Sequence, residues 1–115
     1  MTVLVGDIGG TKTTLALYAP QSGLVPLKQT TYHSAEFASL AAVASAFLGG
    51  SDAQINRAVF GVAGPVVGGR ATATNLPWDM GEAELREELG IGEVRLLNDL
   101  EATAYGVPQD RKSVV

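Results

Sequence analysis

The sequence of 115 residues has no cysteine, one histidine and no long apolar run. Without cysteine it has no disulfide framework, thiol nucleophile or thiolate metal ligand, and one histidine, His33, argues against a zinc enzyme. Its uncharged stretches are broken by turn formers, so no membrane span is predicted. The start has no basic region and soon reaches the carboxylate of Asp7, so we expect no secretory signal and a cytoplasmic location.

Basic residues are few, with 8 Lys and Arg against 12 Asp and Glu and a net charge of −4. A nucleic-acid binder needs a basic stripe, so we expect no nucleic-acid partner. The acids concentrate in residues 79–101, which we interpret as a solvated helix face. The composition is 46% hydrophobic and 17% charged, which is typical of a globular chain about one small domain long.

Strand-forming residues dominate the first third of the chain. The β-branched run Thr2–Ile8 predicts a buried strand, and residues 13–18 predict a second one. The turn at residues 9–12 contains two glycines and joins these strands into a hairpin. Residues 27–32 alternate in character, so three antiparallel strands are expected.

A helical period follows. Apolar residues at spacings of three and four predict a helix over residues 37–48, with Ser34 as its N-cap and Gly49 at its end. Residues 55–62 are apolar on both sides of the pleat, which predicts a strand covered by helices.

Two further helices and one strand complete the predicted order. Residues 79–82 have the spacing of a capping box and open a short helix that ends at Gly90. Residues 94–97 predict a buried strand, and residues 98–101 form a second capping box whose helix closes at residues 106–108. The order βββαβαβα predicts an α/β domain with a mixed sheet covered by helices.

The first candidate site is the glycine-rich segment at residues 6–13, Gly-Asp-Ile-Gly-Gly-Thr-Lys-Thr. Such a turn exposes backbone N–H groups to phosphate oxygens, although neither the P-loop nor the dinucleotide fingerprint is present. Asp7, near the end of a central strand, is a candidate Mg²⁺ ligand through water. An ordinary tight hairpin with a solvent-facing carboxylate explains the same residues, and the sequence leaves both interpretations open.

The second candidate is Asn98-Asp99-Leu100-Glu101. Asn98 is a good N-cap, and acids in the first turn favour the helix dipole. However, a carboxylate at the carboxyl end of a parallel strand also lies where open α/β sheets bind ligands. An ionised Asp99 there would accept a proton from a hydroxyl group as a general base. Both interpretations stay open.

Between these segments, residues 64–65 (Gly-Pro) follow the buried strand and predict a sharp turn at the same sheet edge. Thr74, Asn75 and Trp78 offer hydroxyl, amide and aromatic contacts to a sugar-like ligand. A lone tryptophan is more often part of the core, and that alternative remains.

Together, three segments resemble the amino-terminal lobe of the bacterial glucokinases, in the sugar kinase, heat-shock and actin superfamily. They are residues 4–13, residues 61–66 with 74–78, and residues 97–102. Any one of them is unspecific, but all three occur in order over most of the chain. The resemblance implies a ribonuclease H-like mixed sheet with helices on its faces, as one lobe of an actin-like ATPase fold. Residues 1–108 would form this lobe and residues 109–115 a truncated linker between lobes.

The resemblance also implies an activity, the ATP-dependent phosphorylation of glucose in glycolysis. On the sugar side, Asp99 would be the base that takes the proton of the sugar 6-hydroxyl, and Asn98 its sugar-binding neighbour. Gly64, Pro65 and Asn75 would belong to the wall of the sugar pocket.

On the nucleotide side, the resemblance implies that Gly9, Gly10 and Thr11 face the phosphates of ATP. Asp7 would lie near Mg²⁺, and Lys12 would have a secondary role beside the phosphates. The chemistry would be phosphoryl transfer, which depends mostly on positioning and charge stabilisation.

The family's second phosphate loop, adenosine-binding segment and later sugar contacts have no counterpart in the sequence. We therefore expect one lobe that is inactive alone and that pairs with the missing lobe or self-associates as a homodimer through an exposed apolar face. Two alternatives are a ribonuclease H-like nuclease, in which Asp7 and Asp99 bind metal ions, and a non-catalytic sugar-binding or interaction domain.

Overall fold

The computed structural model describes residues 2–19, 26–49, 55–73 and 76–98. It contains eight strands, two α-helices and one 3₁₀ turn in these ranges. In chain order they are β1 (Thr2–Ile8), β2 (Lys12–Tyr18), β3 (Lys28–His33), the 3₁₀ turn (Ser34–Glu36), α1 (Leu40–Leu48), β4 (Ile55–Val62), β5 (Val66–Val67), β6 (Arg70–Thr72), β7 (Asp79–Gly81), α2 (Glu82–Leu89) and β8 (Glu93–Asn98).

The main sheet has five strands in the order β3-β2-β1-β4-β8. The first three strands are antiparallel neighbours, as predicted, whereas β1, β4 and β8 run parallel to one another. This confirms the mixed α/β sheet. Strand β3 extends one residue further than predicted because Lys12 on β2 pairs with His33, so the backbone ladder continues past the apolar pattern.

One face of the main sheet carries the core. Side chains alternate along a strand, and on β1 the positions of Leu4 and Ile8 are fully buried. Between them Gly6 leaves room for the ring of Phe60 on β4. A Cβ at Gly6 would lie 2.5 Å from Cδ1 of Phe60 and 2.9 Å from Cδ2 of Leu15. The glycine therefore lets three neighbouring strands pack closely.

Helix α1 begins later than predicted. Its N-cap is Ser39, whose hydroxyl oxygen accepts a hydrogen bond from the amide of Ala42 at 3.1 Å. Ser34 does not cap it, because that side chain is fully buried in a separate 3₁₀ turn and bonded elsewhere. The predicted end is confirmed, since Gly49 adopts the left-handed conformation with a φ of 54°.

The capping box predicted at residues 79–82 is wrong. Asp79 belongs to β7, and helix α2 begins after Gly81 with no side-chain cap. The carboxylate of Asp79 instead pairs with the guanidinium of Arg70 on β6, 3.1 Å away. The hydrogen bonds that Arg70 donates to the carboxylates of Glu84 and Asp79 also raise the pKa of Arg70. These contacts lie on a second sheet, β5-β6-β7, that the sequence pattern does not predict.

Trp78 belongs to the core, which confirms the less specific interpretation of this residue. Its side chain is 2% exposed, and its indole Nε1 donates to the carbonyl oxygen of Phe37 at 3.1 Å. The helix predicted after Asn98 lies outside the described residues. Within the ranges given above, no helix has the length and hydropathy needed to cross a membrane.

Candidate functional site

The carboxyl ends of three parallel strands meet at one edge of the main sheet. Ile8 at the end of β1 is in register with Val62 at the end of β4, and Val62 is in register with Asn98 at the end of β8. We call this row the carboxyl edge. Open α/β sheets bind their ligands outside the carboxyl ends of their strands, so this edge is the candidate site.

The glycine turn, residues 9–12, lies at the carboxyl edge between β1 and β2. It is closed by a hydrogen bond from the amide of Gly9 to the carbonyl oxygen of Lys12 at 2.9 Å. From the other side, the hydroxyl of Ser34 donates to the carbonyl oxygen of Gly9, and the amide of Ser34 donates to that of Thr11, both at 2.9 Å. The backbone of the turn is therefore held in place by its neighbours.

Asp7 lies one residue before the carboxyl edge, in register with Gly61 on β4 and Thr14 on β2. Its side chain is half-buried, and it makes a polar interaction of its own. In the described part of the chain no group of three or more His, Asp or Glu residues lies close enough to hold a metal ion. A single carboxylate still fits Mg²⁺, because this ion takes one or two protein carboxylates and completes its shell with water and phosphate.

The segment after β4 turns sharply at the same edge, as predicted. The amide of Ala63 donates to the carbonyl oxygen of Ile8 at 3.0 Å, and the amide of Gly64 donates to that of Val62 at 2.9 Å. A Cβ at Gly64 would collide with the carbonyl oxygen of Thr72, so only glycine fits there. Pro65 follows and is exposed.

Asn98 connects β8 to this turn. Its side-chain Nδ2 donates to the carbonyl oxygen of Gly64 at 3.2 Å. The last residue of β8 is thereby bonded to the loop that follows β4, so two of the predicted sugar-side segments touch directly. This contact links residues 34 positions apart.

Glu82 supports β8 from helix α2. Its Oε2 accepts the amide of Leu96 at 2.9 Å and lies 3.9 Å from Nε of Arg95. Because β8 is an edge strand of the main sheet, this carboxylate satisfies a backbone donor that has no neighbouring strand. Sequence reasoning assigned Glu82 to a capping box, and no local pattern indicates its actual partner.

The structure brings most of the predicted site residues to the carboxyl edge. They are Asp7, Gly9, Gly10, Thr11, Lys12, Gly64, Pro65 and Asn98. Asn75 and Asp99 lie outside the described residues, and Asp99 directly follows Asn98 in the chain. Sequence reasoning did not identify Ser34 as a residue of this site. The signal available in the sequence is a small polar residue directly after β3, the strand whose last residue, His33, pairs with Lys12 of the glycine turn.

Comparison with known proteins decides the family. The glucokinase family model matches residues 4–115. The chain belongs to the glucokinase family. The glucokinase of Nostoc punctiforme is 42% identical over 108 residues, which cover 91% of this chain and 32% of that protein. The chain spans about a third of the length of the curated relatives it matches.

Solved structures agree with the fold. A glucokinase from an Antarctic psychrotroph superposes with a TM-score of 0.80 at 31% identity, covering 96% of this chain and 36% of that one. A ROK family glucokinase from Streptomyces griseus, in complex with glucose and AMPPNP, has a TM-score of 0.69 at 22% identity and covers 92% and 36%. The expected sugar-kinase fold, with its actin-like ATPase architecture, is confirmed for this chain.

Proposed function

We propose that the glucokinase containing this chain transfers a phosphoryl group from ATP to glucose and forms glucose 6-phosphate. The observation that carries the proposal is the meeting of the glycine turn, the loop after β4 and Asn98 at the carboxyl edge. A phosphate-binding turn and a sugar-binding edge must be neighbours for transfer between their ligands. Membership of the glucokinase family supplies the two substrates.

On the sugar side, Asp99 acts as the general base. It follows the last residue of β8, and an ionised carboxylate accepts the hydroxyl proton as transfer proceeds. The sugar 6-oxygen bonds to the γ-phosphorus, the bond from that phosphorus to ADP breaks, and the proton passes to Asp99. Asn98, Gly64 and Pro65 bind and orient the sugar, together with Asn75.

On the nucleotide side, the turn of Gly9, Gly10 and Thr11 faces the phosphates of ATP, and the amide of Gly10 binds them, since that of Gly9 is donated to Lys12. The half-buried carboxylate of Asp7 would hold Mg²⁺, directly or through water, and Lys12 would add a secondary positive charge. When bound, Mg²⁺ neutralises the charge that develops on the phosphates. The residues of this chain contribute binding and orientation, which account for most of the catalysis of phosphoryl transfer.

The remaining nucleotide and sugar contacts belong, in this proposal, to a second lobe. Residues 1–108 form the first lobe and residues 109–115 lead to the second, in keeping with relatives about three times as long. The sheet face opposite α1 is half-buried at Val3, Val5 and Val59, and it would pack against the other lobe or a second copy. A cytoplasmic location fits the ATP requirement and the absence of cysteine.

The kinase proposal takes precedence over the two alternatives raised by the sequence. The family match favours a sugar kinase over a ribonuclease H-like nuclease. It equally favours catalysis over sugar binding alone. No contact among the described residues supports either alternative specifically.

The decisive experiment substitutes Asp99 in the full-length glucokinase. Removal of the general base by Asp99→Asn is expected to lower kcat for ATP-dependent glucose phosphorylation by about 10²–10⁴-fold. The matched control is Asp79→Asn, which makes the same change at an exposed carboxylate paired with Arg70, and its kcat should stay near that of the wild type. A wild-type protein without this activity would refute the function, and an active Asp99→Asn variant would refute the role of Asp99.

Lobe pairing needs its own measurement. Sedimentation of the 115-residue chain at increasing concentration is expected to show self-association, because the sheet face of Val3, Val5 and Val59 is only half-buried. A strict monomer at high concentration, with no binding of a hydrophobic dye, would contradict this part of the proposal.

A further inference from the structure

Two buried hydroxyl groups lie beside the glycine turn. Among the described residues, the buried polar side chains are Thr13 on β2 and Ser34 directly after β3, both 0% exposed. Their oxygen atoms are 2.8 Å apart. Burying a hydroxyl group destabilises the fold unless the group is hydrogen-bonded. The hydrogen-bond partners of Thr13 and Ser34 therefore show which part of the structure this pair stabilises.

The direction of the hydrogen bonds follows from counting donors. A serine hydroxyl has one hydrogen, and a carbonyl oxygen only accepts. Since Ser34 Oγ lies 2.9 Å from the carbonyl oxygen of Gly9, its hydrogen is used there. Thr13 must therefore donate to Ser34. The result is a directed chain from the hydroxyl of Thr13 through that of Ser34 to the backbone of the glycine turn.

Ser34 holds the glycine turn at a second point. Its amide donates to the carbonyl oxygen of Thr11 at 2.9 Å. The carbonyl groups of Gly9 and Thr11 thus both point at Ser34. No described peptide bond is cis, and in a planar trans peptide the N–H points opposite to the C=O. The amides of Gly10 and Lys12 consequently point away from Ser34.

We propose that Ser34 is a positioning residue for the phosphate-binding turn, with Thr13 fixing the orientation of its hydroxyl. This inference rests on the proposed kinase function. Ser34 holds two carbonyl oxygens away from the ligand and thereby directs the amide of Gly10, on the peptide next to Gly9, toward the polyphosphate of a nucleoside triphosphate. If the peptide between Gly9 and Gly10 rotated, it would present a carbonyl oxygen to the phosphate, and that oxygen would repel the anion.

The first test uses steady-state kinetics of the full-length enzyme. Ser34→Ala and the isosteric Thr13→Val are expected to raise KM for ATP by about tenfold, the effect of one lost buried hydrogen bond. KM for glucose should change by less than about twofold, because the sugar contacts are untouched. Thr13→Ser keeps the donor and should restore the wild-type KM.

The matched control is Thr31→Val. Thr31 lies on β3, and its hydroxyl bonds to that of Thr14 at 2.9 Å on the exposed side. This variant also loses a hydrogen bond between two hydroxyl groups, but the pair does not contact the glycine turn, so its KM for ATP should not change. Equal rises in both KM values, or the same rise in Thr31→Val, would overturn the positioning role.

The second test does not depend on activity. In ¹⁵N-glycine-labelled protein, the amide of Gly10 should have an order parameter of about 0.85 in the wild type and below about 0.6 in Ser34→Ala. Addition of inorganic tripolyphosphate should shift this amide resonance in the wild type more than in the variant. Equal order parameters would overturn the positioning role. A large difference in the order parameter, with no shift of the Gly10 resonance on addition of tripolyphosphate, would show that Ser34 anchors the turn but would refute phosphate binding there.

Discussion

The side-chain amide of Asn98 donates a hydrogen bond to the carbonyl oxygen of Gly64 at 3.2 Å. This contact joins the end of β8 to the loop after β4. Because β4 and β8 are parallel neighbours, their carboxyl ends already lie side by side, and the hydrogen bond fixes the loop against the strand. Asp99, the proposed base, follows the anchored residue directly.

Asn98→Asp should weaken this junction. The substitution replaces a donor by a carboxylate oxygen facing a carbonyl oxygen, so the free energy of unfolding is expected to fall by about 1–3 kcal/mol. Urea unfolding of the chain measures the change. Asn56→Asp is the matched control, since Asn56 is exposed on β4 and its substitution should cost less than about 0.5 kcal/mol. Equal losses in both variants would show that the contact with Gly64 contributes nothing specific.

Gly64→Ala should destabilise the same loop for a steric reason. The new methyl group would overlap the carbonyl oxygen of Thr72, and backbone atoms cannot move aside as a flexible side chain would. We expect a loss of about 1–3 kcal/mol in unfolding free energy, the usual cost of overpacking. Thermal unfolding measures it. Gly92→Ala is the control, because a Cβ there has no neighbour within 4 Å, and a comparable loss in that variant would contradict the steric argument.

The sheet was predictable because its strands carry their own signals. The β-branched run of β1, the glycine turn and the apolar run of β4 each determine a strand or a connection locally. Placing Asp7 and Asn98 at strand ends needed only the bounds of those strands. The parallel arrangement then brings the strand ends to one edge.

The start of α1 was not predictable in the same way. Ser34 precedes the predicted helix and Ser39 lies in its first turn, and either serine suits an N-cap. The choice depends on Thr13, which lies 21 positions before Ser34 and engages its hydroxyl. Because no window of local sequence contains that contact, the predicted helix begins too early. For the same reason the hydrogen bonds of Ser34 to the glycine turn could not be predicted.

Contacts that cross between elements account for the other differences. Asp79 pairs with Arg70 instead of capping a helix, and Glu82 bonds to Leu96, 14 positions later. The strands of the second sheet have two or three residues each, too few to show an alternating pattern. These features become visible only when the chain is folded.

Glu82→Ala should loosen β8 without touching the carboxyl edge. The substitution removes the acceptor for the amide of Leu96 on the edge strand, and water replaces it only in part. A loss of about 1 kcal/mol in unfolding free energy is expected, together with faster hydrogen exchange at the amide of Leu96. The control is Glu87→Ala, an exposed position of the same helix. If exchange at Leu96 is unchanged, the carboxylate does not protect the strand.

Tyr18 should make stability fall in alkaline solution. Burial raises the pKa of this half-buried phenol above its ordinary value. From about pH 10 upward, the unfolded chain therefore loses the proton while the folded chain keeps it, so the free energy of unfolding decreases as pH rises. Tyr18→Phe has no such proton and should lose less stability between about pH 8 and about pH 10.5 in urea unfolding. An equal alkaline loss in the variant and the wild type would show that Tyr18 ionises alike in both states.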